Sequence, residues 1–221
     1  MKIALSAVFF AAVFAGLMPA YFREEEKRIG AKSIALKMIP TGMAALLALY
    51  GAVTRGGWFP ALICAGVFTG MAADGVLCVD FMLGGVLFAL GHGCYLAAMW
   101  VQNGFGWLTA ALMLAVWTGL TVFPVRRWDT RFRNRKPGRK MMYGVRAYTV
   151  VLSMLAGFSL YQPLAARSLR SVLCAAGGVL FAVSDVMLAA NRIKGKGPAA
   201  HRAALGIYYA AQWLLAMSAL G

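Results

Sequence analysis

Long apolar runs, separated by short polar or glycine-containing stretches, recur along the whole chain. Each run is close to the roughly 20 residues that an α-helix needs to cross a bilayer. The alternation of apolar and polar residues that would indicate strands is missing from the sequence. The pattern therefore predicts eight membrane-spanning helices, near residues 3–22, 33–53, 58–79, 81–101, 107–123, 141–162, 170–190 and 203–220.

The composition supports a membrane protein with a single domain. Of the 221 residues, 62% are hydrophobic and only 13% are charged, whereas soluble domains carry roughly 25% charged residues. Eight spans use roughly 160 residues and leave about 60 for loops and ends, so no sizeable extramembrane domain fits. We therefore expect residues 1–221 to form one all-α, polytopic bundle of transmembrane helices.

The distribution of cations predicts the orientation in the membrane. The chain has 22 Lys and Arg residues against 7 Asp and Glu residues, a balance that would suggest nucleic-acid binding in a soluble protein. Here sixteen cations lie in the predicted loops 23–32, 124–140 and 191–202, and four lie on the opposite face. Because basic loops stay in the cytoplasm, we expect an integral protein of a bacterial inner membrane, with both termini outside and no nucleic-acid partner. Glu24, Glu25, Glu26 and Asp129 fall in these loops as solvated charges.

The sequence predicts neither a metal nor a cofactor. His92 and His201 are too few for a three-histidine zinc site, and His201 falls in a predicted loop. The four cysteines lie inside apolar runs without a CxxC pair and are interpreted as small apolar residues. No P-loop, GxSxG or dinucleotide motif follows a predicted strand. Nucleotide-dependent chemistry therefore has no support in the sequence.

Two aspartates lie well inside predicted spans, Asp74 in the third and Asp185 in the seventh. An ionisable group near mid-span costs about 2.5–3.5 kcal/mol on insertion scales, which makes such a group a candidate functional residue. The alternative is a structural clamp between helices, in which an aspartate pairs with Lys37 or Arg146, the two cations that fall within spans.

Polar side chains of several spans share one depth in the predicted membrane. Asp74 stands roughly 8 Å from the cytoplasmic end of its span at about 1.5 Å per residue. Asp185 has a similar depth, as do Lys37, Tyr143, Arg146, Tyr148, Tyr208, Tyr209 and Gln212. This alignment predicts a pocket that opens to the cytoplasm or the inner leaflet. His92 is deeper, with Tyr95 one turn beyond, and a lone histidine on an apolar helix is more often an interhelical hydrogen-bonding residue than a ligand or base.

The two halves of the chain show a weak internal echo. Ala65-Gly66 precedes Asp74 with the same spacing by which Ala176-Gly177 precedes Asp185. A shift of four spans preserves orientation, so the echo fits an ancient parallel duplication of four plus four helices. Chance matching among alanine and glycine explains it equally well.

Four short motifs occur in order on the third, fourth, seventh and eighth spans: Gly70–Leu77, Gly91–Tyr95, Phe181–Asn191 and Tyr208–Gln212. The set resembles the YhhN-like lysoplasmalogenase family of eight-span membrane proteins, whose motifs are Gly-Asp-x-x-Leu, His-x-x-Tyr, Ser-Asp-x-x-Leu and Tyr-x-x-x-Gln. The likeness runs from about Lys37 to the C-terminus. It departs from the family pattern at Ala73, where glycine usually precedes the aspartate. It departs again at Met38-Ile39, which separates Lys37 from Pro40.

The resemblance implies hydrolysis of the vinyl ether bond of lysoplasmalogens to a fatty aldehyde and a glycerophospho-alcohol, with a lysophospholipid and membrane lipids as partners. Two carboxyl groups suit this reaction, because one can protonate the alkene while the other stabilises the cation and activates water, as in glycosidases. The implied catalytic residues are Asp74 and Asp185. The implied substrate-binding residues are Lys37, His92, Tyr95, Arg146, Tyr148, Asn191, Tyr208 and Gln212.

The sequence is also compatible with two other classes of function. A transporter or lipid-binding membrane protein would use the same aspartates and cations for proton coupling or head-group capture. A purely structural subunit is the third reading, although it has little use for two carboxylates inside the membrane. Release of an aldehyde from a lysolipid separates catalysis from both alternatives.

Overall fold

The computed structural model describes residues 2–27, 30–128, 139–194 and 197–221, and within these ranges all regular elements are helices. The first helix, α1, joins Lys2–Ala11, a π-helical stretch Ala12–Leu17 and Met18–Lys27. The others are α2 (Ala31–Arg55), α3 (Trp58–Leu77), α4 (Phe81–Asn103), α5 (Trp107–Trp128), α6 (Arg139–Ala165), α7 (Leu169–Lys194) and α8 (Pro198–Ser218). The expected all-α bundle is confirmed, with one helix at each of the eight predicted places.

Six of the described helices, α1 to α4 together with α6 and α7, are long and apolar enough to cross a membrane. Helix α5 adds a shorter apolar stretch, Trp107–Thr121. The protein is therefore an integral membrane protein built as a helical bundle. Its orientation stays a prediction, and residues 129–138 of the most basic loop, with Asp129 among them, lie outside the described residues.

Helix α8 lies in the interior of the bundle, which allows it to carry more polar side chains than a lipid-facing helix. Every residue from 204 to 220 is buried or partly buried. The helix packs against α2, α3 and α7. On the side of α1, the indole of Trp213 stacks on Phe9 with the ring centroids 3.9 Å apart, and its N–H donates to Ser6 Oγ at 2.9 Å. A helix enclosed by protein can carry polar side chains that a lipid-facing helix cannot.

The start of α8 corrects one expectation. The eighth span was expected to begin near residue 203, with His201 in a loop, but the helix begins at Pro198 and places His201 in its first turn. Proline is favoured at the first position of a helix, and Gly197 before it has a φ of 86°, which suits glycine. The Gly197-Pro198 pair is the local signal for this earlier start.

The end of α1 corrects a second expectation. The glutamates 24–26 were expected in a loop after residue 22, but α1 continues to Lys27 and carries them on its last turns. The hydroxyl of Tyr21 donates to Glu25 Oε1 at 2.7 Å, one turn further along the helix. Lys32 at the start of α2 pairs with Glu24 at 3.1 Å. These contacts extend the helix beyond the apolar run that predicted it.

Close helix contacts at two glycines bring the aspartate-bearing helices against their partners. A Cβ atom on Gly66 of α3 would overlap the ring of Tyr95 of α4. A Cβ atom on Gly177 of α7 would lie 2.8 Å from Leu215 Cγ and 3.1 Å from the Ala211 carbonyl oxygen of α8. Small residues permit such approach between membrane helices. The two glycines of the sequence echo therefore have the same packing role in each half.

Candidate functional site

Asp74 lies near the C-terminal end of α3 and is almost completely buried. Its Oδ2 accepts a hydrogen bond of 2.6 Å from the hydroxyl of Thr41 of α2 and one of 2.8 Å from the hydroxyl of Tyr208 of α8. A carboxylate that loses contact with water needs such donors. Three helices therefore fix this carboxyl group.

The hydrogen bonds around Asp74 continue as a chain into the bundle. Gln212, one turn beyond Tyr208 on α8, donates from Nε2 to the Tyr208 hydroxyl at 3.1 Å. The amide oxygen of Gln212 accepts from the hydroxyl of Tyr95 of α4 at 2.7 Å. Both residues are completely or almost completely buried. They orient Tyr208 rather than contact the cavity described below.

Lys37 supplies a buried cation on the Asp74 side of the site. Its side chain is 5% exposed, and its Nζ lies 3.8 Å from Cys78 Sγ. The Cys78 thiol in turn donates to the backbone carbonyl of Asp74 at 3.4 Å. The backbone carbonyl of Lys37 accepts a 2.8 Å hydrogen bond from the hydroxyl of Tyr209. No ion pair joins Lys37 to a carboxylate among the described residues, and because burial of an unpaired ammonium group is costly, Lys37 is a candidate functional residue.

Asp185 on α7 is also buried but has different partners. Its Oδ2 accepts a 2.5 Å hydrogen bond from the hydroxyl of Tyr148 of α6. Nε2 of His92 of α4 lies 3.0 Å from the same carboxylate oxygen and 3.0 Å from the Tyr148 hydroxyl. The Nδ1 atom of His92 has no hydrogen-bond partner among the described residues, which favours the proton on Nε2, where it faces the carboxylate.

Asp74 and Asp185 line one small inner cavity of about 30 Å³. A cavity needs roughly 10–15 Å³ to hold one water molecule, so this one has room for about two. The inner cavity is lined by Lys37, Asp74, Leu77, Phe88, Ser184, Asp185, Leu188, His201, Ala204, Leu205 and Tyr208. The leucine of each Asp-x-x-Leu motif is therefore part of the same cavity as its aspartate.

A second, larger cavity adjoins the first at His201, which lines both. This vestibule has a volume of about 410 Å³ and lies at the ends of α1, α7 and α8. It is lined by Phe22, Glu25, Glu26, Asn191, Gly197, Pro198, His201 and Arg202. Asn191, expected at the substrate site, is thus in the vestibule rather than beside the aspartates.

Arg146 does not lie where the sequence placed it. Its side chain is exposed, as is that of Tyr143, and neither lines the inner cavity or the vestibule. Residues two apart on a helix point in nearly opposite directions. Because Tyr148 points inward to Asp185, Arg146 points outward from α6.

Three residues of the site were missed by sequence reasoning. Thr41 lies one turn after Lys37 on α2, and this i, i+4 spacing was the signal that could have found it. His201 was assigned to a loop. Ser184 lines the inner cavity and donates to the Ala204 carbonyl at 2.9 Å, which fixes α7 against α8.

No group of three or more His, Cys, Asp or Glu side chains among the residues that the structure describes is placed to hold a metal ion. His92 and Asp185 form a pair, and Tyr148 hydrogen-bonds to both of them.

A comparison with protein families gives a match to the YhhN family over residues 32–219. This range contains every residue that lines the inner cavity, whereas Phe22, Glu25 and Glu26 of the vestibule precede it. No curated protein and no solved structure gives a significant match.

Proposed function

Because the chain belongs to the YhhN family, we propose that it is a membrane hydrolase that cleaves the vinyl ether bond of lysoplasmalogens. The substrate class is the 1-alkenyl lysophospholipids, and the products are a fatty aldehyde and a glycerophospho-alcohol. The observation that carries the proposal is that two buried carboxyl groups line one cavity with room for about two water molecules.

The reaction needs a proton donor, a stabiliser of positive charge and one water molecule. A carboxylic acid gives its proton to the alkene carbon that is not bonded to the ether oxygen, which leaves an oxocarbenium ion. Water adds to this cation, its proton passes to a carboxylate, and the resulting hemiacetal collapses to aldehyde and alcohol. The glycerol oxygen regains a proton in that last step, so one water is consumed overall. Asp74 and Asp185 share the acid and base roles.

The hydrogen-bond pattern leaves one oxygen of each carboxyl group available for this chemistry. All hydrogen bonds that the described residues make to Asp74 and Asp185 end on Oδ2. Hydroxyl donors on Oδ2 fix the orientation of the carboxyl plane, so Oδ1 is the atom that transfers a proton. Fixed dipoles of this kind need no reorganisation when charge develops.

The groups that line the inner cavity suit the ether region of an amphipathic substrate, and at about 30 Å³ the cavity must widen to admit it. Leu77, Phe88 and Leu188 provide apolar surface on which the alkenyl chain can lie. Lys37 lines the same cavity and provides positive charge for the phosphate of the lysolipid. The ether bond lies between these two parts of the substrate, beside the aspartates.

An aldehyde-release assay tests the proposal. Purified protein is incubated with a 1-alkenyl lysophospholipid and, separately, with the 1-acyl lysophospholipid of the same chain length. We expect fatty aldehyde from the alkenyl lipid and no fatty acid from the acyl lipid. The Asp74→Asn, Asp185→Asn double variant, purified in the same way, sets the background. If the native protein releases no more aldehyde than this variant, the hydrolase proposal is wrong and transport or lipid binding takes its place.

A further inference from the structure

Two lysines of α2, Lys32 and Lys37, have opposite surroundings. The side chain of Lys32 is 73% exposed and pairs with Glu24 at 3.1 Å. Lys37 is 5% exposed and forms no ion pair with a carboxylate of the described residues, and its Nζ lies 3.8 Å from the Cys78 thiol. Lysines that are desolvated in apolar pockets are the ones that form Schiff bases with carbonyl compounds. Lys37 therefore has the surroundings of a nucleophilic lysine, and Lys32 has those of a surface lysine.

The inner cavity also offers what a long-chain carbonyl compound needs. Leu77, Phe88 and Leu188 line it with apolar surface, and Asp74 provides a carboxyl group beside the same space as Lys37. The cavity of about 30 Å³ widens for an alkyl chain in the same way as for the substrate. The proposed hydrolysis leaves a fatty aldehyde in this cavity. Each turnover therefore ends with a carbonyl carbon close to a buried amine.

We propose that Lys37 forms a reversible imine with the long-chain aldehyde that the reaction releases. The identity of this ligand rests on the proposed function. The inference adds a covalent complex between the protein and its product, which the catalytic scheme does not contain. It gives the buried lysine a second task after it has held the phosphate of the substrate.

The step is balanced without an oxidant or a reductant. When the glycerophospho-alcohol leaves, the ammonium group of Lys37 passes one proton through the cavity water to the carboxylate of Asp74. The amine attacks the carbonyl carbon, an N–C bond forms, and a proton moves from nitrogen to the carbonyl oxygen. Asp74 then gives its proton to the new hydroxyl group, the C–O bond breaks and water leaves. The iminium carries the charge that the ammonium carried, Asp74 is again a carboxylate, and addition of water reverses the step.

The complex makes the protein sensitive to its own product. The alkyl chain of the imine occupies the apolar surface that the next substrate needs, so hydrolysis slows while the aldehyde remains in the membrane. A reaction that oxidises or reduces fatty aldehydes removes the free aldehyde and shifts the imine back to the free lysine. The rate of hydrolysis is thereby coupled to the removal of the aldehyde.

The test uses added aldehyde. Purified protein is incubated with hexadecanal and cyanoborohydride, which reduces an iminium to a stable secondary amine. Mass spectrometry of the peptides then locates the attached hexadecyl group and gives its rate of formation at each lysine. We expect Lys37 to be labelled at least about tenfold faster than Lys32, because the buried amine has no competing water shell or carboxylate. Labelling of Lys37 at the rate of Lys32, or more slowly, would overturn the proposal.

Two controls locate the reaction in the inner cavity. Hexadecanol has the same chain but no carbonyl carbon, so an excess should slow the labelling of Lys37 and leave that of Lys32 unchanged. Labelling of Lys37 that hexadecanol does not slow takes place outside the cavity and contradicts the proposal. Cys78→Ser removes the neighbouring thiol and keeps a small polar side chain. With a native-like thermal unfolding curve, this variant should still be labelled at Lys37, whereas loss of the label would assign the carbonyl to the thiol.

The effect on activity is tested with Lys37→Arg, which keeps the positive charge but has no amine to form the imine. Native protein that is preincubated with hexadecanal should lose aldehyde-release activity progressively and regain it on dilution, whereas hexadecanol should inhibit at once. Lys37→Arg, compared with its own untreated rate, should show the immediate inhibition alone. Progressive inhibition of Lys37→Arg would place the reactive group elsewhere and overturn the assignment.

Labelling with added aldehyde does not depend on hydrolysis, so this inference and the proposed function fail separately. A protein that is labelled at Lys37 but releases no aldehyde from a 1-alkenyl lysophospholipid has the carbonyl-binding lysine without the hydrolase activity. A protein that releases aldehyde but is not labelled at Lys37 is a hydrolase whose product leaves without covalent capture.

Discussion

Asp74 and Asp185 occupy corresponding places on α3 and α7, yet the two carboxyl groups have different partners. Among the residues that the structure describes, the donors to Asp74 are two hydroxyl groups, those of Thr41 and Tyr208. Asp185 faces an imidazole as well as a hydroxyl, in His92 and Tyr148. The helix position fixes the depth of each carboxyl group in the bundle, while the partners fix which protons it can share.

The hydrogen-bond networks around Asp74 and Asp185 also differ in extent. The Asp74 network continues through Gln212 to Tyr95, and the buried Lys37 lines the same cavity as Asp74. Within the described part of the chain, the Asp185 network consists of three side chains, those of Asp185, His92 and Tyr148. If both carboxyl groups act on one substrate, removal of either should stop the reaction, whereas changes to the partners should have unequal effects.

The largest expected effect is the loss of either carboxyl group. Asp74→Asn and Asp185→Asn should each lower the rate of aldehyde release by about 10²-fold or more, because each removes a proton-transfer group while keeping the volume. The double variant should be about as slow as the slower of the two single variants, because the two groups act as a unit and their losses do not multiply. The measurement is kcat on a 1-alkenyl lysophospholipid.

Asp80→Asn is the control for the variants Asp74→Asn and Asp185→Asn. Asp80 is an exposed aspartate that caps α4 by accepting hydrogen bonds from the backbone N–H groups of Met82 and Leu83 at 2.8 and 3.0 Å. Asparagine caps a helix about as well as aspartate. Rates near that of the native protein in Asp74→Asn and Asp185→Asn would remove both groups from the mechanism.

A smaller effect is expected for the cation on the Asp74 side. Lys37→Met should raise KM by about tenfold and change kcat by less than about threefold, because a charge that binds the phosphate acts equally in the ground state and the transition state. Lys32→Met, an exposed lysine on the same helix that pairs with Glu24, is the control. A fall in kcat with unchanged KM would instead place the Lys37 ammonium at the reacting bond.

Variants of Tyr208 and Tyr148 allow a direct comparison of the Asp74 and Asp185 networks. Tyr208→Phe should lower kcat by about tenfold, because it removes a donor to Asp74 and also leaves the buried amide of Gln212 without its acceptor. Tyr148→Phe should lower kcat by only about threefold, since His92 remains beside Asp185. The ratio of the two kcat values is the measurement. The reverse order would show that Tyr148 transfers a proton itself.

The smallest effect is expected at the far end of the Asp74 network. Tyr95→Phe removes one buried interhelical hydrogen bond to Gln212, so the free energy of unfolding should fall by about 1 kcal/mol while kcat changes less than about twofold. Tyr50→Phe, at an exposed tyrosine of α2, is the matched control. A large loss of kcat in Tyr95→Phe would mean that the network does more than orient Tyr208.

The features predicted from sequence are those that depend on span number and depth. The length of each apolar run predicts a membrane-spanning helix. The direction of each helix then places four side chains at one depth, the depth of the cavity: Asp74, Asp185, Tyr148 and Tyr208. The rotation of a helix about its axis is harder to infer. Arg146 and Tyr148 share that layer but not a face, so depth alone assigned both to the pocket.

The missed features lie where helices extend beyond their apolar runs. Hydropathy detects the part of a helix in contact with lipid, and it stops where polar side chains begin, even when the helix continues. The last turns of α1 and the first turn of α8 are of this kind, and they carry Glu25 and His201. The vestibule is built from these turns, so the sequence pattern gave no indication of it.

The enclosed position of α8 has a consequence for how the protein is made. Helix α8 is the last of the eight to leave the ribosome, and with His201, Arg202 and Gln212 it is poorly suited to enter lipid alone. The preceding helices must therefore be in the membrane first and offer a polar groove into which α8 can insert. Since Tyr208 comes with it, the nascent chain cannot complete the Asp74 network until insertion is finished. The Asp74 network therefore forms only when the whole bundle is assembled.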